Sequence, residues 1–140
     1  MNREEIKGIL PHREPMLLVD EVEKGEDGAA HGIYRVRGDE WFLQGHFPGN
    51  PVVPGVVLCE IIGQASCVLL SSDMENVTPY YTGMDKVRFK HPVHPGDILE
   101  ITATIDKQKP PFYFIKGTAK VDGKLCVSGE FSFALIKNQD

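Results

Sequence analysis

An apolar segment, 55–70, sets the problem that any fold of this chain must solve. It reads GVVLCEIIGQASCVLL and is apolar on nearly every side, which is typical of a helix surrounded by protein. A buried strand is the alternative, but the segment is long for one. Pro54, just before it, suits the first turn of a helix. Gly63, Gln64 and Ser66 interrupt its most apolar part, and we expect it to fall short of a membrane span.

The rest of the chain predicts a short helix at 3–9 and several strands. Asp122-Gly123 is a strong hairpin signal, whereas the Gly- and Pro-rich residues 38–55 predict a loop with a stiff backbone. The predicted strands are 16–22, 32–37, 85–91, 98–105, 112–121 and 124–136. We therefore predict an α+β fold in which a curved, antiparallel six-stranded sheet wraps around one long central helix. Residues 1–140 are expected to form a single domain.

Composition excludes several classes of protein. The chain has 140 residues and a net charge of −5, which argues against a general nucleic-acid binder. Its three cysteines form neither a disulfide framework nor a zinc signature. The first residues lack the apolar core of a signal peptide, so we expect a soluble, cytoplasmic protein with no membrane partner.

Two polar residues stand out within the apolar segment. Glu60 and Gln64 are four positions apart and would share one face of a helix. Burying an unpaired carboxylate costs several kcal/mol, so Glu60 needs either a structural partner, such as Gln64 or a backbone amide, or a function. His46 lies in the stiff loop before the helix. A loop histidine is usually solvated or a packing residue, but a rigid frame would fix this one for catalysis.

The start of the predicted helix supplies a third element. No Ser, Thr, Asp or Asn directly precedes Gly55, so the amides of Gly55, Val56 and Val57 are candidates to stay free unless Asn50 or water caps them. Free amides at the positive end of a helix suit a carbonyl oxygen that becomes negative. A base, a buried acid and such an oxyanion site together suggest proton abstraction next to a carbonyl. The substrate does not follow from these residues.

Three motifs in order carry a resemblance to a known family. They are residues 10–20 (LPHREPMLLVD), 45–60 (GHFPGNPVVPGVVLCE) and 89–97 (FKHPVHPGD). Together they resemble the 3-hydroxyacyl-[acyl-carrier-protein] dehydratases of type II fatty-acid synthesis. The resemblance implies a hot-dog fold, no metal and no organic cofactor. It also implies a homodimer, and often a trimer of such dimers, in which each active site combines His46 of one subunit with Glu60 of the other.

The resemblance further implies an activity and roles for residues. The substrate would be a (3R)-hydroxyacyl thioester on acyl carrier protein, dehydrated to the trans-2-enoyl thioester. The Gly55 or Val56 amide would bind the thioester oxygen, His46 would be the general base and Glu60 the general acid, with Gln64 orienting Glu60. The family's dehydratase-isomerases carry Asp at the helix position, so Glu60 favours dehydration alone.

Other residues have weaker roles in the resemblance. Glu14 stands where an aromatic is usual and Met16 where Phe is common, and both could alter the acyl channel or a neighbouring contact. Phe47, Tyr80 and Tyr81 are candidates for the substrate channel or its gate; the two tyrosines would lie in a loop before a strand, where they could equally form an exposed turn. A basic strand edge, with Val87 and Phe89 on the opposite face, is either a solvated surface or a docking site for acyl carrier protein: Lys86, Arg88, Lys90 and His91.

Three rival functions remain open. A thioesterase of the same fold would release free thiol, and a dehydratase-isomerase would form a cis-3-enoyl product. A silent acyl-binding or assembly subunit would bind acyl carrier protein without turnover. Cys59 is next to Glu60, but adjacent helix residues face different ways, so we interpret Cys59 as core packing.

Overall fold

The computed structural model describes residues 1–139 and has the predicted architecture, six strands and one central helix. Its α-helices are α1 (Arg3–Ile6) and α2 (Gly55–Ser66). Its strands are β1 (Glu21–Lys24), β2 (Ala30–Arg35), β3 (Val77–Phe89), β4 (Ile98–Lys109), β5 (Phe112–Val121) and β6 (Lys124–Lys137). Short 3-10 helices cover Trp41–Leu43 and Cys67–Asp73.

The six strands form one sheet in the order β1-β2-β4-β5-β6-β3, and every neighbouring pair is antiparallel. The predicted hairpin joins β5 to β6, and both Asp122 and Gly123 have positive φ there. Register shifts interrupt the β4–β5, β5–β6 and β3–β6 ladders. Such irregularities bend strands and increase their twist, which suits a sheet that wraps a helix.

Helix α2 lies against the inner face of this sheet, where it contacts β2, β4, β5 and β6. Helix and sheet approach closely at Gly117, where an added Cβ would overlap Ile62 of the helix. Ile61, Ile62 and Ala65 are fully buried. The α-helix ends at Ser66, and the predicted segment continues as a 3-10 helix with a kink at Leu70.

The expectation about span length was wrong, because Gly55–Asp73 is a continuous helical segment of 19 residues, long and apolar enough to cross a membrane. However, 56% of its most apolar window is buried within the protein. The sheet therefore supplies the apolar surroundings that this segment requires.

The predicted strand at 16–22 was wrong over most of its length, since β1 begins only at Glu21. Leu17, Leu18 and Val19 are buried, but they do not join the sheet. The Leu18 amide instead donates to the Gln64 side chain at 2.8 Å. A helix side chain thus replaces a neighbouring strand as the hydrogen-bond partner of this backbone.

Strand β3 begins earlier than predicted and lies at an edge of the sheet. The predicted strand at 85–91 is the end of β3, and Tyr80 and Tyr81 lie within the strand rather than in a loop, paired with Ala134 and Phe133. The alternation is interrupted because Lys86 has φ +52° in a bulge between Asp85 and Arg88. Most side chains of β3 are exposed.

Candidate active site

Glu60 lies on the middle of α2, and donors from two elements contact one of its carboxylate oxygens. Gln64 Nε2 donates to Glu60 Oε2 at 2.7 Å, one helical turn along. His12 Nε2, from the segment that precedes β1, lies 3.3 Å from the same oxygen. The Glu60 side chain retains 19% exposure. Both donors therefore hold the Oε2 atom of the carboxylate, while part of the side chain remains accessible to solvent.

Opposing influences act on the pKa of Glu60. Burial is the largest and raises the pKa, because a charged carboxylate loses solvation. Hydrogen bonds from His12, Gln64 and Tyr81, together with the charge of His12, outweigh it and leave the pKa below its ordinary value. In a single chain without substrate, these surroundings thus favour the ionised carboxylate form of Glu60.

Tyr81 reaches this site from β3. The residue as a whole is 39% exposed, but its hydroxyl turns inward against the helix at Gly63, where a Cβ would overlap the hydroxyl oxygen. Burial and the neighbouring Glu60 carboxylate raise the pKa of Tyr81. The hydroxyl therefore stays protonated and can only be a donor toward the carboxylate. Tyr81 thus lies in a strand rather than in the predicted loop and is part of the surroundings of Glu60, while its role in the substrate channel or its gate stays a prediction.

These side chains line a small crevice of about 30 Å³ that is partly open to solvent. Its remaining walls are apolar or neutral, and Glu60 is its one carboxylate among the described residues. The full lining is His12, Glu60, Gly63, Gln64, Cys67, Pro79, Tyr81 and Phe133. Burial raises the pKa of the Cys67 thiol to about 12, so this cysteine is a neutral wall and not a nucleophile.

His46 is fixed by its own loop, away from this crevice. Its Nδ1 lies 3.0 Å from the Val52 carbonyl, and Phe47 stacks on its ring at 4.2 Å. Because a carbonyl only accepts, Nδ1 carries the hydrogen, and Nε2 of the neutral ring is left with a free lone pair. That is the form a general base needs. Within one chain the structure does not bring His46 and Glu60 together.

The start of α2 leaves two amides for a ligand. Pro54 is the N-cap residue and no side chain caps the helix within the described chain. The Val57 amide bonds to the Pro54 carbonyl at 3.0 Å, so its predicted availability was wrong. Gly55 and Val56 amides have no partner among residues 1–139. The room that Gly55 provides is taken by the Phe89 ring, which a Cβ would meet at 2.8 Å.

The candidate docking residues lie along the outer part of β3 and just beyond it. Lys86 is paired with Glu130 at 3.4 Å, and Arg88 donates to its neighbouring Val87 carbonyl at 2.9 Å. Lys90 is exposed. Two of these cations thus already have a local partner, although all three side chains face solvent. Tyr80 and Phe47 are exposed by 58% and 53%.

The two departures from the family pattern have different surroundings. Glu14 pairs with Arg3 at 3.3 Å and with Lys7 at 3.0 Å, and these partners lower its pKa to about 2. It therefore ties the segment before β1 to α1. The Met16 carbonyl accepts from Gln64 at 2.8 Å while its side chain is 41% exposed, so its backbone rather than its side chain supports the site.

His12 is the site residue that reasoning from the sequence missed. It lies inside the first family motif, which was a signal for attention, but nothing in the spacing predicts that this segment crosses α2 beside Glu60. Among the described residues, no group of three or more His, Cys, Asp or Glu side chains could hold a metal ion.

Comparison with known proteins bears on the same residues. Residues 10–130 match the family model described as a FabA-like domain, a range that includes His12, His46, Glu60, Gln64 and Tyr81. A protein of Clostridium perfringens (strain SM101 / Type A), named 3-hydroxyacyl-[acyl-carrier-protein] dehydratase FabZ, is 46% identical over 137 residues. The alignment covers 96% of this chain and 99% of that protein.

Solved structures share the fold at lower identity. "The Dehydratase Heterocomplex ApeI:P from Xenorhabdus doucetiae" superposes with a TM-score of 0.80 at 22% identity, covering 95% of this chain and 91% of that chain. A hypothetical thioesterase from Streptococcus pneumoniae TIGR4, solved with coenzyme A, gives a TM-score of 0.62 at 14% identity, covering 86% and 88%. The hot-dog fold is therefore confirmed, and it is common to more than one named activity.

Proposed function

The chain belongs to the FabA-like family of 3-hydroxyacyl-[acyl-carrier-protein] dehydratases, and from that premise we propose that it removes water from (3R)-3-hydroxyacyl thioesters of acyl carrier protein. The product is the trans-2-enoyl thioester of fatty-acid elongation. The observation that carries the proposal is the arrangement around Glu60: an oriented carboxyl group is the one acid of a largely apolar crevice within the described residues.

In the proposed mechanism, the Gly55 or Val56 amide donates to the thioester oxygen, which makes the α-proton more acidic. His46 Nε2 takes that proton, and the electrons of the C2–H bond form the C2=C3 double bond. The C3–O bond breaks as protonated Glu60 gives its proton to the leaving hydroxyl. Water and the enoyl thioester result, and hydration follows the same path in reverse.

We further propose that His46 and Glu60 meet between two subunits. Strand β3 is an edge strand of 13 residues, and Met84 and Phe89 on it are about half exposed. A long edge strand with exposed apolar side chains invites pairing with another strand. Pairing β3 with a second copy would cover these side chains next to the Tyr81 wall of the crevice. Further assembly into a trimer of dimers stays a prediction, as does a cytoplasmic location.

Product analysis with purified protein tests the dehydratase proposal. Incubation with a 3-hydroxyacyl thioester should give the trans-2-enoyl thioester, and His46→Ala and Glu60→Ala should each lower kcat by about 100-fold or more while the oligomer persists. His94→Ala, in an exposed turn, is the matched control. Near-normal rates in either site variant would remove that residue from the mechanism. Free thiol would instead indicate a thioesterase, a cis-3-enoyl product an isomerase, and tight carrier binding without turnover a silent subunit.

We also propose that Lys86, Arg88 and Lys90 contact the acidic carrier protein, and that Phe47 and Tyr80 border the entrance to the acyl channel. Opposite charges steer association and are screened by salt. Reversing all three charges should raise KM for the carrier-bound substrate and leave KM for a short thioester analogue unchanged. Equal effects on both substrates would exclude docking at this surface.

A further inference from the structure

The contact between His12 and Glu60 has no place in the two-residue mechanism. His12 belongs to the segment before β1, and its Nε2 lies 3.3 Å from Glu60 Oε2. Its side chain is 22% exposed, yet its Nδ1 is buried and has no hydrogen-bond partner among the described residues. An unpartnered buried polar atom is costly. A residue whose only role is to stabilise the fold is not expected to leave a buried polar atom without a partner.

Anchoring of the segment does not require this histidine either. Gln64 already accepts from the Leu18 amide and donates to the Met16 carbonyl, both at 2.8 Å. Arg13 adds donations to the Leu10 and His12 carbonyls at 2.9 and 2.7 Å. The Gln64 side chain thus holds the segment on α2, and Arg13 braces the segment locally, so the imidazole is free to serve the carboxylate that it faces.

The two carboxylate oxygens of Glu60 are consequently not equivalent. Gln64 must present its Nε2 to Oε2, because its Oε1 is committed to the Leu18 amide. Oε2 therefore receives donors from Gln64 and His12. A proton on that oxygen would face N–H groups rather than a lone pair, so the proton of the acid form belongs on Oε1.

We propose that His12 is a positioning residue for the dehydration, which holds Oε2 of Glu60 so that Oε1 presents the proton to the leaving hydroxyl. This inference rests on the proposed function. As the C3–O bond breaks, the Oε1 proton moves to the hydroxyl and leaves as water, and the His12 N–H stabilises the carboxylate that forms. His46 then loses the α-proton to solvent and Glu60 regains one from solvent, so protons balance.

The groups that face Glu60 come from three directions. His12 faces it from the segment before β1 and Tyr81 from β3, while the neutral Gln64 lies on the same helix. Cys67 lines the same crevice and Cys59 is adjacent to Glu60 in the helix, and burial raises the pKa of both thiols. Of these groups, His12 is the only one able to carry positive charge. Loss of His12 should therefore raise the pKa of Glu60, since burial then acts with less opposition.

Two variants separate positioning from structure. His12→Leu removes the donor, whereas His12→Gln keeps an N–H that can reach Oε2. We expect His12→Leu to lower kcat about 10- to 100-fold, as misplacement of an acid does, with KM within about twofold of its original value. The pH limb that reports Glu60 should move to higher pH and the other limb should stay. His12→Gln should recover most of kcat.

His31 provides the matched control, because it is an exposed histidine paired with a carboxylate, that of Asp27 at 3.0 Å. His31→Leu and His31→Gln should leave kcat and both pH limbs unchanged. Folding of every variant is checked by thermal unfolding at one protein concentration. If both His12 variants fold and keep kcat within about twofold, with both limbs in place, the proposal is overturned.

A second measurement does not need turnover. In protein labelled with ¹³C at the glutamate carboxyl carbon, the Glu60 resonance is assigned by its absence in Glu60→Gln and is followed against pH. We expect its titration in His12→Leu at higher pH than in the original protein, and an unchanged titration overturns the proposed coupling. If the original protein fails to dehydrate the thioester, the proposed function fails, while this titration still decides whether His12 governs Glu60.

Discussion

Replacement of Gly63 by alanine tests whether the Tyr81 hydroxyl really rests on the helix. A Cβ at this position would overlap the hydroxyl oxygen, whereas the next ring atoms, Cζ and Cε1, lie at 3.0 and 3.4 Å. Alanine in a helix interior is favoured over glycine by about 1 kcal/mol. Overpacking of a filled site costs about 1–3 kcal/mol. Gly63→Ala alone should therefore destabilise the protein by about 0–2 kcal/mol.

Removal of the hydroxyl changes this balance. In Tyr81→Phe, the overlapping oxygen is absent, and the ring needs to move only a few tenths of an ångström to reach ordinary contact with the new methyl group. Gly63→Ala in that background should be neutral or stabilising by up to about 1 kcal/mol. The coupling between the two substitutions should thus be about 1–3 kcal/mol.

Thermal and urea unfolding of the four proteins at one fixed protein concentration measure this coupling. For a chain of this length, 1 kcal/mol corresponds to a shift in Tm of about 3–4 °C. If the two substitutions are additive within about 0.5 kcal/mol, the hydroxyl does not lie against Gly63, and the description of the crevice wall is wrong.

Three further predictions concern other parts of the chain. Burial raises the pKa of Asp20, but hydrogen bonds from the Arg35 amide, Arg37 and Arg3 outweigh burial and leave this pKa below its ordinary 3.8. The stabilisation that ionised Asp20 gives the folded state should therefore be full above about pH 4. It should be lost as the pH falls through the pKa of Asp20 in the folded state. Asp20→Asn should therefore flatten the acid side of a plot of urea midpoint against pH. Gly123 has φ +78°, so Gly123→Ala should lower the free energy of unfolding by about 1–2 kcal/mol, whereas Asp122→Asn should be near neutral in the same urea titration. Because the pKa of the Cys67 thiol is about 12, Cys67 should resist a thiol-reactive disulfide reagent at pH 8 in the native protein and react in urea.

Local patterns in the sequence were sufficient where neighbours in the chain decide the structure. The apolar run from Gly55 predicts α2, because a helix surrounded by protein is the element in which side chains on all sides are buried. Asp122-Gly123 predicts a turn, because both residues tolerate positive φ. The same reasoning missed the start of β3, since Pro79 and the two tyrosines do not alternate in polarity. It also made a strand of residues 16–20, because burial of Leu17, Leu18 and Val19 has the same signature whether the partner is a strand or a helix side chain.

The same distinction between local pattern and distant packing separates the site residues. His46 and Glu60 stand out locally, one in a stiff loop and one within an apolar helix. His12 and Tyr81 act through contacts between elements that are distant in the sequence, so only the packing of those elements identifies them. The room for the Tyr81 hydroxyl comes from a glycine, a residue that leaves no polar signal.

The competition around Glu60 explains how so apolar a helix can carry an acid that, in the proposed mechanism, gives up a proton. Each donor comes from a different element or turn: His12 from the segment before β1, Gln64 from the next turn of α2, and Tyr81 from β3. Burial is the largest single influence on the pKa, and it is outweighed only by these donors together. When a donor is lost or the crevice becomes drier, the least costly response is for Glu60 to take up a proton. In the proposed mechanism, an acyl chain that excludes water from the crevice would strengthen burial and leave the donors in place, and would so move Glu60 toward the carboxylic acid that its role as general acid requires.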